Sequence, residues 1–246
     1  MESDALLTLG VALLFCAVHL FMGKLTFLDV QPRSRWLSFA GGVAVGYVFL
    51  HILPELAAHG EELASSTGLV PVFAESLIYA LSLAGLVIFY GIERAAIVTG
   101  ARRDEDGNAR IFWIHIIATA ALAAIIAYLL SHREDTAASG LALYTGALLI
   151  HFVTADFAAR SHFPQAYDAR GRWVLAVATL AGWAAGYAWR LPELAIACLF
   201  AFLGGGMVLI VLKEELPAQR ESSFLPFLGG ALIYSALVLG EHLAAH

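Results

Sequence analysis

Trp173-Val-Leu-Ala-Val-Ala-Thr-Leu-Ala-Gly-Trp-Ala-Ala-Gly-Tyr-Ala-Trp189 contains no charged side chain, and neither does the run 195–212 that follows it. Only Arg190-Leu-Pro-Glu193 and Leu194 separate the two. Consecutive apolar stretches of roughly 20 residues, joined by a few polar ones, are what a bilayer about 30 Å thick demands of helices that cross it. The same pattern extends in both directions. Apolar runs fall at 5–23, 36–58, 70–97, 111–131, 138–160, 172–190, 192–212 and 224–241. The prediction is an all-α polytopic membrane protein, one transmembrane domain over 1–246 with eight crossings.

Composition agrees. The chain is 60% hydrophobic and 14% charged, with a mean hydropathy of +0.78. Soluble domains run nearer half apolar and a quarter charged, so a soluble globular reading is excluded. A net charge of −6 leaves no basic footprint for nucleic acid. Cys16 and Cys198 lie inside apolar runs and point neither to a disulfide scaffold nor to a thiolate zinc site. The acidic start MESDALLTLG lacks the basic flank of a cleavable signal, so its apolar run reads as a retained first helix.

Lys and Arg set the expected orientation. With the N-terminus outside, twelve of them fall on inner loops and only Arg133 and Arg190 on outer ones. The positive-inside rule favours that topology, with both termini outside. Trp36, Trp113, Trp173 and Trp189 sit near run ends, where an interfacial belt places them. Short loops suggest a bacterial inner (plasma) membrane. A weak internal echo pairs Leu77–Gly85 with Leu232–Gly240, and Gly41-Gly42 before Leu53-Pro54-Glu55 with Gly204-Gly205-Gly206 before Glu215-Leu216-Pro217. The echoes lie five crossings apart and so run in opposite directions, as inverted repeats of transporters do.

Ionisable residues within hydrocarbon are costly and mark function by default. One group ends the second run: His51, Glu55, His59 and Glu62, spaced by four, four and three, share a helical face. Glu75, Glu241 and His242 could lie opposite. Imidazole with carboxylate suits zinc and similar divalent ions; the alternative is a polar helix end fraying around Pro54. A deeper group comprises His19, His115, His151 and Asp156. His19 and His115 could instead snorkel to the inner interface, and Asp156 could instead pair with Arg160 at i+4. No Walker sequence, Gly-x-Ser-x-Gly elbow or HExxH is present.

Ala40-Gly-Gly-Val-Ala-Val-Gly-Tyr-Val-Phe-Leu-His-Ile-Leu-Pro-Glu55 resembles the second helix of the ZIP (Zrt/Irt-like) family of divalent-metal transporters. Gly91-Ile-Glu-Arg94 resembles the close of that family's third helix, and Gly204-Gly-Gly-Met-Val-Leu-Ile-Val-Leu-Lys-Glu-Glu-Leu-Pro217 its seventh. The resemblance implies a 3+2+3 bundle of inverted repeats and a metal site on the fourth and fifth helices. There the family carries His-Asn-x-x-Asp/Glu-Gly and His-Glu-x-Pro-His-Glu-like motifs. Here His115 and His151 match, and Asp156 stands at the last carboxylate, but Ile116, Thr119, Phe152 and Ala155 replace the other polar positions.

What the resemblance implies is therefore a divalent-metal permease with a reduced, single-metal site. His115, His151 and Asp156 would bind the ion, and His51 with Glu55 would attract it at the outer mouth. The ion is substrate; no prosthetic group and no enzymatic activity are expected. A homodimer is left open. The alternatives are a transport-inactive relative with an interaction or sensing role and, less favoured, a membrane metallo-hydrolase.

Overall fold

The computed structural model describes residues 2–25, 35–100, 105–132, 138–212 and 223–244. Arg33, Arg102, Arg103, Arg133, Lys213, Arg220 and the Glu215-Leu216-Pro217 half of the echo lie outside them, as do the side chains of Glu93 and His242. The described residues form eight helical rods and no strands. They are α1 (Glu2–Phe21, closed by a tight turn Met22–Lys24), α2 (Arg35–Thr67) and α3 (Pro71–Gly100). Next come α4 (Glu105–Leu129) and α5 (Ala138–His162). Then follow α6 (Pro164–Ala166, a π turn Tyr167–Gly171, and Arg172–Ala188), α7 (Glu193–Ile210) and α8 (Phe224–Ala244).

Six of the eight, α1 to α5 and α8, are long and apolar enough to cross a membrane. The two charge-free runs form the shorter rods: Arg172–Ala188 has 17 residues and α7 has 18. Their loop is pinned by Tyr128, whose hydroxyl donates to the Trp189 carbonyl (3.2 Å) and accepts from the Leu191 N–H (3.0 Å). The outward side chains of α1, α3 and α8 are large and apolar, among them Leu6, Leu13, Phe73, Val87, Leu225 and Leu243. That surface suits hydrocarbon rather than water.

Small residues decide how the rods cross. A Cβ on Gly42 of α2 would collide with the Phe227 carbonyl of α8, and one on Gly230 of α8 with the Phe39 carbonyl of α2. On α7 a Cβ on Gly205 would strike the Ser82 carbonyl of α3, and one on Gly85 of α3 the Phe202 carbonyl of α7. Backbones can approach this closely only where no side chain intervenes. The two crossings share one spacing: Phe39 and Gly42 stand to Phe202 and Gly205 as Phe227 and Gly230 stand to Ser82 and Gly85. Gly85 makes at its crossing the contact that Gly230 makes at the other, ten residues before the Gly240 of the sequence echo.

The neighbours of α4 and α5 follow the same step of five. α4 packs on α3, α6 and α7, whereas α5 packs on α8, α1 and α2. α1 and α6 pack on each other, held by Trp183 Nε1 donating to Thr8 Oγ1 (3.1 Å). The main core gathers Phe15, Tyr47, Ile126, Leu148, Phe152 and Leu203, all buried. A second cluster around Phe112, Ile116, Tyr167 and Leu175 fills the end of the bundle where α5 turns into α6.

Candidate functional site

The helix does not fray at Pro54. Proline lacks an N–H and its ring crowds the carbonyl four residues back. α2 absorbs this in one wide π turn, Val48–Ile52, where the Leu53 N–H reaches the Val48 carbonyl. It then runs on to Thr67 and stops at Gly68, whose φ of 71° is the left-handed conformation glycine adopts freely. The polar residues beyond Pro54 are therefore held in helical order. His51 Nε2 lies 3.3 Å from Glu55 Oε2, and His59 Nδ1 lies 3.2 Å from Glu62 Oε2. Glu55, His59 and Glu62 line a cavity of about 370 Å³, faced by His132, Glu193 and Arg190. His51 stands apart, its ring stacked on Tyr47 at 5.1 Å. Of the residues expected opposite, Glu75 does meet α2: its backbone and Cβ pack on Gly60.

A second cavity, about 50 Å³, lies along α4 and α5 and is also lined by Phe89 of α3 and Leu209 of α7. His115 and Thr119 reach it from α4; His151, Phe152 and Ala155 reach it from α5. Thr119 donates to the His115 carbonyl and Thr154 to the His151 carbonyl, both at 2.9 Å, so neither hydroxyl is spent on an imidazole. His151 is 2% exposed, and its Nδ1 has no hydrogen-bond partner. A buried polar atom without a partner calls for an explanation, an unseen water or ion among them. The volume is enough for a water.

Between the two cavities stands one apolar layer. On α4, Leu129 borders the larger cavity and Leu122 the smaller, with Ile126 fully buried between them. On α5, Tyr144 and His151 take those places, with Leu148 between.

Asp156 does not join His115 and His151. Its Oδ2 lies 2.7 Å from His19 Nδ1 and accepts from the Tyr167 hydroxyl at 2.6 Å. Asp156 and His19 are both 0% exposed, so His19 does not snorkel to an interface. Nor does Asp156 pair with Arg160. Arg160 donates through two nitrogens to Asp168 at 3.0 and 3.2 Å, across the bend from α5 into α6. Phe152 divides the two histidine environments, its ring centroid 4.9 Å from that of His19 and 5.8 Å from that of His151.

The five sequence candidates thus fall in three places: His51 with Glu55, His115 with His151, and Asp156 with His19. Among the described residues no group of three or more His, Cys, Asp or Glu side chains is arranged to hold a metal ion. Sequence reasoning missed Tyr167 and Thr179, which complete the Asp156 environment. The available signal was that a carboxylate and a histidine within apolar runs need partners. No family model matches the chain, and no curated protein or solved structure matches it.

Proposed function

We propose that the chain is an integral membrane protein that passes a divalent first-row cation, zinc or a similar ion, through a reduced ZIP-like site. The observation that carries this reading is the cavity shared by His115 and His151, with the unpartnered Nδ1 of His151 buried in its wall. Neutral imidazole is the commonest ligand for such ions. Two of them leave the remaining positions of a tetrahedral shell to water, so the site binds one ion weakly and releases it readily. Asp156 is occupied by His19 and Tyr167 and is not among the ligands. The carboxylates and imidazoles around the outer cavity gather the cation before it meets the Ile126–Leu148 layer.

The step-of-five packing supports the inverted-repeat arrangement, 3+2+3, in which α4 and α5 are central. The Lys and Arg asymmetry supports outside termini. The test is zinc flux into proteoliposomes, comparing the native chain with a His115→Ala, His151→Ala double variant shown to be folded. Flux lost in the double variant supports the reading. No flux of zinc, cadmium, iron or manganese from folded native protein sinks it.

A transport-inactive relative is the second reading. It is favoured by the carbon lining that Phe152 and Ala155 give the cavity. Under that reading, flux appears only after Phe152→Glu and Ala155→His are introduced together.

A further inference from the structure

The larger cavity is lined by two imidazoles that are set in the same way. His59 is 6% exposed, and its Nδ1 lies 3.2 Å from Glu62 Oε2, one turn further along α2. A carboxylate accepts, so in the neutral ring Nδ1 carries the proton and Nε2 keeps the lone pair. His132, just beyond α4, has its Nδ1 3.1 Å from the Tyr128 carbonyl, which also can only accept. Its ring lies flat on that of Tyr128, with centroids 4.6 Å apart at 13°. Each ring is therefore oriented by its own rod, through Glu62 three residues on and Tyr128 four residues back. In both, the nitrogen left to meet a ligand is Nε2.

Histidines that bind metal are oriented by this device, a carboxylate or a backbone carbonyl on the ring nitrogen away from the ion. The two face one volume of about 370 Å³. Glu55, Glu62 and Glu193 stand on the same wall, and among the described lining residues Arg190 is the one guanidinium or ammonium. Three carboxylates against one guanidinium leave the wall negative.

The wall is also built to stay in place. Tyr128 is buried, and its hydroxyl joins the Trp189 carbonyl to the Leu191 N–H. That fixes the turn that carries Arg190 and leads into Glu193. One side chain thus holds His132 on one side of the cavity and the α6–α7 turn on another.

We propose that the larger cavity is a metal site in its own right, holding one divalent first-row cation through His59 Nε2 and His132 Nε2. No three protein side chains converge there, so water completes the shell, for which the volume leaves room. The carboxylates supply charge through those waters. Two imidazoles with oxygen ligands suit zinc. The choice of ion rests on the proposed transport; the site itself is separate from the His115–His151 cavity, across the Ile126–Leu148 layer, and holds for a transport-inactive chain as well.

The test is nuclear magnetic resonance of the full chain, labelled with 15N-histidine, in lipid nanodiscs titrated with zinc. The Nε2 resonances of His59 and His132 move together, and both Nδ1 keep their protons. Zinc that moves neither ring, moves only one, or binds through Nδ1 overturns the proposal. Equilibrium dialysis then counts the ions. A His59→Ala, His132→Ala double variant binds one zinc fewer than the native chain, and an equal count overturns the proposal. Glu62→Ala, which leaves His59 Nδ1 unheld, weakens that zinc about tenfold or more; unchanged affinity means that the ring is not a ligand. The His115→Ala, His151→Ala double variant separates the two readings: if it loses no zinc while the first variant does, the transport site fails and this one stands. Where the His59→Ala, His132→Ala protein does not fold, the resonances of the native chain decide.

Discussion

Two buried histidines stand on either side of Phe152 and are treated oppositely by the fold. His19 has both ring nitrogens engaged, one by Asp156 and one by Thr179. His151, nearly as buried, has an Nδ1 with no partner beside a small cavity. Burial alone therefore says little about role. A saturated hydrogen-bond shell ties helices of the bundle together, whereas an incomplete one leaves lone pairs for something that comes and goes.

The contrast can be broken most sharply at Asp156. Asp156→Ala removes the partner of a buried imidazole, and the expected loss is about 3–5 kcal/mol, read as unfolding in mild detergent. Phe152→Ala comes next: removing a buried ring that touches both histidines costs about 3–5 kcal/mol, less where the walls collapse, and lets water reach His19, measured as faster hydrogen exchange at its ring. Tyr167→Phe deletes one donor to a charged acceptor and lowers stability by about 1.5–3 kcal/mol. His151→Leu is the opposite case. It removes an unpartnered polar atom, so stability stays level or rises by about 1 kcal/mol, while any zinc flux falls to that of empty vesicles. A large loss of stability from His151→Leu would erase the distinction between the two histidines. The smallest effect is expected at the half-exposed His51–Glu55 pair, where His51→Gln changes stability by less than about 1 kcal/mol.

The helices were legible because hydrocarbon writes long charge-free runs into a sequence; their ends were less so, since α4 begins six residues and α6 eight residues before its apolar run. α2 outran its apolar segment by one amphipathic extension: Pro54 suggested a break, but a π turn satisfied the backbone at lower cost. The partner of Asp156 was not legible. His19 lies 137 residues away, whereas Arg160 lies one helical turn away, and spacing along a helix carries no information about which neighbouring rod a side chain faces. The sequence echo and the glycine crossings give different pairings for a related reason. Leu, Ala and Gly recur in every apolar helix, so Leu77–Gly85 resembles Leu232–Gly240 in sequence, whereas the backbone contacts put Gly85 and Gly230 in equivalent places.

Those glycine crossings also have a mechanical consequence. Where backbone rests directly on backbone there is no side chain to change rotamer, hence no soft element along which two rods can slide. α2 with α8, and α3 with α7, behave as welded pairs. Spin labels placed across either pair will report one constant distance under all conditions, which makes each pair a fixed ruler for measuring displacement of α4 and α5 between them.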